Sequence, residues 1–379
     1  MTVCEQIVFV SEMRNPKTSG SSTQIMTRNL LYGFSKICDR LLFVAVVEKQ
    51  DDTDDIRTYY SSITPNIYFV IENSKNKTDV LKRQFVWLAD TYRSHADRVP
   101  SELERFLDTD TILVSQSPGL DAALICKEMK LRYPTIFYVQ YWGDPLALSL
   151  ITPQQYTPKR YILKLIEKRL HKFADKIVFG TESLCSAQLQ LFPEIKGKTM
   201  ACDVSFMPEA IDDRTKIIKH TFGYFGNYYT SIRNILPLYE AFKQVENGHL
   251  VICGSSDIKL EPTEQVEVLD RIPQDQVENE ESKIDVEVCI LNSVGIQIPG
   301  KVFYHTNTAK HILVLSDGPV ADSIEIELGK SSRFIICKNE QKAIEKTVRA
   351  IIAGKFDTNK YDKTYYSPER VCRQIVNKL

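Results

Sequence analysis

The chain has 379 residues, 43% of them hydrophobic, which is long for one domain and enough for two buried cores. Its 48 lysines and arginines stand against 49 aspartates and glutamates, and the formal net charge of −1 excludes a protein whose main work is coating nucleic acid. The nine cysteines are scattered singly, most inside apolar runs such as VICG and VEVCIL, and none forms a CxxC pair. That pattern reads as reduced core thiols in a cytosolic protein, not as a disulfide framework or a zinc site.

In chain order, the opening MTVCEQIVFV has no basic flank ahead of a long apolar stretch, so it reads as a strand and not as a signal peptide. No run reaches the roughly 18 apolar residues of a membrane span. Strand-like runs follow at 6–12, 41–47, 66–72, 111–117, 135–141 and 176–182, with helical patterns over 22–36, 78–95, 101–107, 119–132 and 158–173. Runs apolar on both faces and separated by helices predict a parallel sheet covered on both sides. After the polar stretch EAIDDRTKIIK (209–219) the alternation restarts, with strands at 220–226, 249–255, 265–271, 286–292, 311–317 and 333–339. Helices are expected near 231–245, 273–280, 299–309, 321–329 and 340–353, and a final one at about 367–379. The fold class is α/β: two tandem Rossmann-like, doubly wound domains facing a cleft. In such sheets ligands bind beyond the carboxyl ends of the strands, so candidate residues are sought there.

Beyond the first strand, SEMRNPKTSGSSTQ places Gly20 and Ser21 before a helix. This is either a loop whose N–H groups approach an anion or sugar, or a plain turn capped by Ser21 or Ser22. Beyond the fifth strand, YWGDP puts Asp144 where a base or an acceptor-orienting group would sit, or where an aspartate caps a turn before Pro145. The helix PKRYILKLIEKRLHKF (158–173) has Leu163, Ile166, Leu170 and Phe173 on one stripe and Lys159, Arg160, Lys164, Lys168, Arg169 and Lys172 largely off it. It either packs on a sheet with solvated charges or lies on a membrane surface.

In the second half, GYFGNYYTSIRNILPLYEAF (223–242) passes from strand to helix through Gly226 and Asn227. Arg233 stands near the start of the expected helix, where N–H groups favour anions and a guanidinium adds bidentate phosphate binding. Leu236, Leu238, Ala241 and Phe242 are expected core positions. IQIPGKVFYHTNTAKHILVLSDG (296–318) opens a helix at Pro299 and Gly300 with Lys301 in its first turn. A lysine there opposes the helix dipole, a local violation that points to a second diphosphate contact. His305 is either a base or a structural histidine on a helix face.

Taken in order, these segments resemble nucleotide-sugar glycosyltransferases of the GT-B fold, close to the family 4-like group of bacterial polysaccharide biosynthesis. YVQYWGDP is similar to that family's acceptor-domain turn, and IEKRLHKFADKIVFGTESL (166–184) to its helix–strand segment with Glu167, Ala174, Asp175 and the turn 181–183. VSFMPEAID (204–212) stands where the family has its segment before the linker, and IPGKVFYHTNTAKHILVL resembles its P-x-K-x-x-E donor segment. The resemblance implies an acceptor-side domain over 1–212, joined by the returning helix 367–379, and a nucleotide-sugar domain over 213–366. It implies donor contacts at Gly226, Asn227, Arg233, Arg271, Ile272, Gly300, Lys301, Tyr304 and His305, an acceptor near Gly20, Ser21 and Asp144, and no cofactor. No metal is indicated, because no Asp-x-Asp follows a strand in the nucleotide half. The implied partners are a nucleotide-sugar donor and a glycan, lipid-linked or protein acceptor, with contact at the inner face of the cell membrane, a partner glycosyltransferase subunit, and no nucleic acid. The sequence departs from the family where the motif's carboxylate falls on Tyr304 and an earlier one on Ile296, leaving retention and inversion both open. Alternatives are a nucleotide-sugar epimerase of the same architecture and a catalytically degenerate partner subunit.

Overall fold

The computed structural model describes residues 4–16, 22–71, 101–107, 110–117, 120–148, 158–206, 220–306, 308, 310–319, 321–356 and 364–377. Gly20 and Ser21, the helix expected over 78–95 and the linker 209–219 lie outside the described residues. The chain divides into two compact units, Met1–Met207 with Tyr366–Leu379, and Pro208–Tyr365.

The first unit holds strands β1 (Cys4–Met13), β2 (Cys38–Val47), β3 (Ile67–Ile71), β4 (Thr111–Ser117), β5 (Phe137–Trp142), β6 (Lys176–Phe179) and β7 (Thr199–Ala201). They form one parallel sheet in the order β3-β2-β1-β4-β5-β6-β7. Helices α1 (Ser22–Ser35), α2 (Thr53–Tyr60), α3 (Ser101–Glu104), α4 (Leu120–Arg132), α5 (Pro158–His171) and α6 (Glu182–Leu191) lie between them. The continuous apolar runs are explained by burial on both faces, since Ile7, Val8, Phe9 and Val10 are all inaccessible to solvent. On one face Ile7, Phe9, Phe43 and Val114 pack with Leu30, Leu31 and Phe34 of α1.

The last helix of the chain belongs to this unit. Its residues Val371, Cys372, Ile375 and Val376 are fully buried in the same core. Each such side chain contributes about 2 kcal/mol of burial. Gly33 is the contact point, because a Cβ there would lie 2.4 Å from the Pro368 carbonyl oxygen. Buried Lys176 donates to the carbonyls of Gln374 (2.8 Å) and Asn377 (2.6 Å), satisfying acceptors at the end of that helix.

The second unit holds β8 (Thr221–Phe225), β9 (His249–Cys253), β10 (Val266–Leu269), β11 (Val286–Ile290), β12 (His311–Ser316) and β13 (Phe334–Lys338). This parallel sheet runs in the order β10-β9-β8-β11-β12-β13. Helices α7 (Leu236–Phe242), α8 (Gln274–Glu281), α9 (Lys301–Tyr304), α10 (Ala321–Gly329) and α11 (Gln341–Ile352) connect the strands, and α12 (Pro368–Val376) is the helix returned to the first unit. Phe222, Phe242, Leu250, Val288, Leu313, Ile344 and Val348 form its own core. Strand order reverses direction between β1 and β4 in the first sheet and between β8 and β11 in the second, which marks two topological switch points.

Several local readings change. Strand β7 and helices α2 and α6 are additions. Helix α7 starts at Leu236 with a proline in its first turn, not at 231, so Arg233 lies in the turn before the helix. Leu236 is 41% exposed, whereas Leu238, Ala241 and Phe242 are fully buried. Helix α9 is one turn long instead of spanning 299–309. Beyond it Thr306 and Thr308 bond back to the carbonyls of Phe303 and His305, and Arg333 takes the carbonyls of His305 and Thr308, so the backbone has other partners than a helix. Of the cysteines, Cys4, Cys38 and Cys337 are only partly buried; all nine are free thiols.

Candidate functional site

The β8/β11 switch point is where the second unit concentrates polar side chains. After β8 the chain does not turn away at once. Gly226 N–H donates to the Cys253 carbonyl (2.8 Å) and Tyr228 N–H to that of Ser255 (3.0 Å), so the turn stays paired with the loop beyond β9. The Asn227 side chain accepts from the Ser255 N–H at 3.3 Å, and its carbonyl accepts from the Tyr224 hydroxyl at 3.0 Å. Asn227 therefore clamps two loops together. The glycine demanded by this packing is Gly254, with φ at +155° and a notional Cβ 2.0 Å from the Gly226 oxygen. Gly226 has room for a Cβ, its nearest neighbours being the Tyr224 hydroxyl and the Lys301 side chain at 3.7–3.9 Å.

Arg233 reaches across the switch point. Its Nε donates to Asn292 Oδ1 at 2.9 Å, and one terminal nitrogen lies 3.5 Å from the Asn227 carbonyl. Asn292 is buried, directly after β11, and is itself held by donating to the Gln297 carbonyl at 2.8 Å. Ser293 N–H donates to the Ile232 carbonyl at 2.7 Å, which ties the Arg233 turn to the same loop. Gly318, with φ at +82°, passes so close that a Cβ would lie 2.4 Å from the Asn292 carbonyl. Sequence reasoning missed Asn292. Its signal was an amide ending the strand run VEVCILN, whose one other polar residue is Glu287.

Lys301 arrives from a different junction. It is the first residue of α9, preceded by Gly300 with ordinary helical angles and no side-chain cap. Its ammonium donates to the Phe225 carbonyl at the end of β8. Arg233 and Lys301, from separate strand–helix junctions, thus converge on the backbone of residues 225–227.

His305 does not join them. It ends α9 and faces Glu287 on β11, with Nε2 at 3.4 Å from one carboxylate oxygen of Glu287 and 3.9 Å from Glu281. Lys310 Nζ lies 3.5 Å from the other Glu287 oxygen. Burial holds the imidazole well below its usual range, helped by Lys301, Lys310 and Arg333, while burial raises the Glu287 carboxyl. Glu281, Glu287 and His305 are the one group among the described residues with ligand atoms spaced for a metal, within 4.8 Å of one another. Lys310 already faces the same carboxylate, so the group reads as a buried polar network around Glu287. Tyr304 is half-buried at the end of α9. Arg271 is exposed in the loop after β10, and Ile272 beside it packs on Phe225, Val251 and Cys253.

In the first unit Asp144 is half-buried in the turn after β5. That turn is anchored from α5. Glu167 is fully buried and accepts from the Ala147 N–H (3.0 Å) and the Gln188 side chain (3.1 Å). Burial lifts its carboxyl from 4.5 to about 7 against these hydrogen bonds. At the β1/β4 switch point Glu12 accepts from the Asp121 N–H at the start of α4 (2.7 Å), a carboxylate that the sequence pattern did not single out.

Solved structures match this two-unit α/β fold over nearly the whole chain. Anabaena Alr3699/HepE in complex with UDP and glucose matches with a TM-score of 0.58 at 9% identity, covering 98% of this chain and 96% of that one. The lipopolysaccharide outer core galactosyltransferase WaaB, in its apo form, matches with a TM-score of 0.53 at 10% identity, covering 97% and 95%. The chain has the GT-B fold. A UDP-N-acetylglucosamine 2-epimerase shares it as well, with a TM-score of 0.53 at 12% identity, covering 98% and 95%. No protein-family model and no curated protein sequence matches this chain. In this GT-B chain, then, the fold is common to transferases and epimerases, and the distinction between them rests on the side chains. No helix among the described residues is long and apolar enough to cross a membrane.

Proposed function

We propose that this chain is a glycosyltransferase that takes a sugar from a nucleotide-sugar donor and passes it to a glycan, lipid-linked or protein acceptor in cell-surface polysaccharide assembly. The observation that carries the reading is the convergence of Arg233 and Lys301 on the turn 225–227 at a topological switch point. Two cations there, at a strand end, suit a pyrophosphate. In the reaction the bond between the anomeric carbon and the diphosphate oxygen breaks, and a bond from that carbon to an acceptor oxygen forms. Arg233 and Lys301 neutralise the charge that grows on the departing diphosphate. Asp144 orients the acceptor or takes its proton. Asn227 and Gly226 shape the turn, and Gly300, Tyr304, Arg271 and Ile272 line the approach. His305 holds α9 in place through Glu287.

The test is incubation with a mixed nucleotide-sugar pool, read by mass spectrometry for the donor that disappears. Arg233→Ala and Lys301→Ala are each expected to lower turnover of that donor by about 100-fold or more with the thermal midpoint retained. Full turnover in both variants would falsify the donor assignment. Isomerised donor appearing without any acceptor would make the chain an epimerase instead, and no thermal shift with any nucleoside diphosphate would make it a degenerate subunit.

A further inference from the structure

Helix α5 carries a face that donor chemistry does not use. Its inner side is fixed, with Ile166, Glu167, Leu170 and His171 all buried. The opposite side presents Tyr161 and Leu165, one turn apart, at 65% and 46% exposure. Around them stand exposed Lys168 and Arg169, half-buried Lys164, and exposed Lys172 just past the helix end. The sole carboxylate within 158–173 is Glu167, which is fully buried, so this face has no acid of its own. Glu194, from a neighbouring turn, pairs with Lys168 at 2.9 Å. With 48 basic and 49 acidic residues overall, the grouping is a local segregation and not an outcome of net charge.

We propose that this face docks on the surface of an anionic lipid bilayer. Tyr161 and Leu165 enter the headgroup region, and Lys164, Lys168, Arg169 and Lys172 meet lipid phosphates. A phenol beside an aliphatic tip, both ringed by flexible cations, matches the layering of a bilayer interface: apolar atoms innermost, the hydroxyl at headgroup depth, ammonium groups reaching outward. Nucleic acid would reward the cations and the ring but not the leucine. The helix is already packed on its sheet, so docking needs no coupled folding. The inference is independent of the donor site and survives if that reading fails.

The experiment is co-sedimentation of the full chain with vesicles of phosphatidylcholine alone and of phosphatidylcholine mixed with phosphatidylglycerol. The chain is expected to pellet with the anionic vesicles, not with the neutral ones, and to be released by salt. The double variants Lys168→Glu/Lys172→Glu and Tyr161→Ser/Leu165→Ser are each expected to weaken this about tenfold or more, with the thermal midpoint retained because the side chains are solvent-exposed. Tyr161→Trp gives a second reading: its fluorescence shifts to the blue with anionic vesicles only. Equal pelleting with both vesicle types, no pelleting with either, variants that bind like the parent, or an unmoved tryptophan emission each overturn the proposal.

Discussion

Arg233 is useful to a diphosphate only if its guanidinium faces the strand ends, and the Asn292 amide sets that direction at 2.9 Å. Asn292→Ala should therefore lower kcat/KM for the donor by about tenfold or more, since a hydrogen bond to a charged group is lost. Thermal unfolding and steady-state kinetics on one preparation separate this from a fold defect, and unchanged kinetics would remove Asn292 from the site. Gly254→Ala belongs to a different class. Its added methyl meets the Gly226 oxygen at 2.0 Å in a backbone region hostile to side chains. It should cost about 2–4 kcal/mol of stability. A midpoint equal to the parent's in circular dichroism melts would contradict that. At this scale the sequence exposes residue types well: a lysine in a helix's first turn and an arginine after a glycine turn draw notice by themselves. It hides the partners, because nothing in a string says that residue 233 faces residue 292.

Among the elements, α5 has two lives, an outer face of cations and an inner carboxylate that pins the turn carrying Asp144. The Glu167 carboxyl is raised by burial from 4.5 to about 7, so the folded chain holds this proton more tightly than the unfolded chain does. Stability from that proton is fully present below about pH 4.5 and is lost as pH rises through about 7, a swing of about 3 kcal/mol. Glu167→Gln should flatten the fall in thermal midpoint between about pH 5 and about pH 8, and a slope identical to the parent's would exclude Glu167 as its source. Element lengths were less legible than their existence. The strands of both sheets other than β7 are visible as apolar runs, yet α9 stops after one turn because Thr306, Thr308 and Arg333 claim the next carbonyls. That competition involves a side chain far along the chain, beyond any local pattern.

Across the molecule, the two units have separate cores, and the chain's last helix completes the first of them. Removing residues from Tyr366 onward would uncover Phe34, Phe9 and their neighbours and leave Lys176 buried without its carbonyl partners. Hydrogen exchange is expected to show lost protection in β1, α1 and β2 of the truncated chain, with β8 to β13 protected as before. Loss of protection in both units alike would mean that the units share one cooperative fold.

What the sequence determined by itself was the alternation of doubly buried strands and helices, repeated after a polar break, because burial on two faces leaves a continuous apolar run that needs no tertiary knowledge to read. The strand orders, the pairing of Arg233 with Asn292, the approach of Lys301 to Phe225 and the turning of His305 onto Glu287 were decided only by the tertiary structure. They are contacts between different elements of the chain, fixed by how helices close over a twisted sheet, and periodicity along a chain carries no record of them.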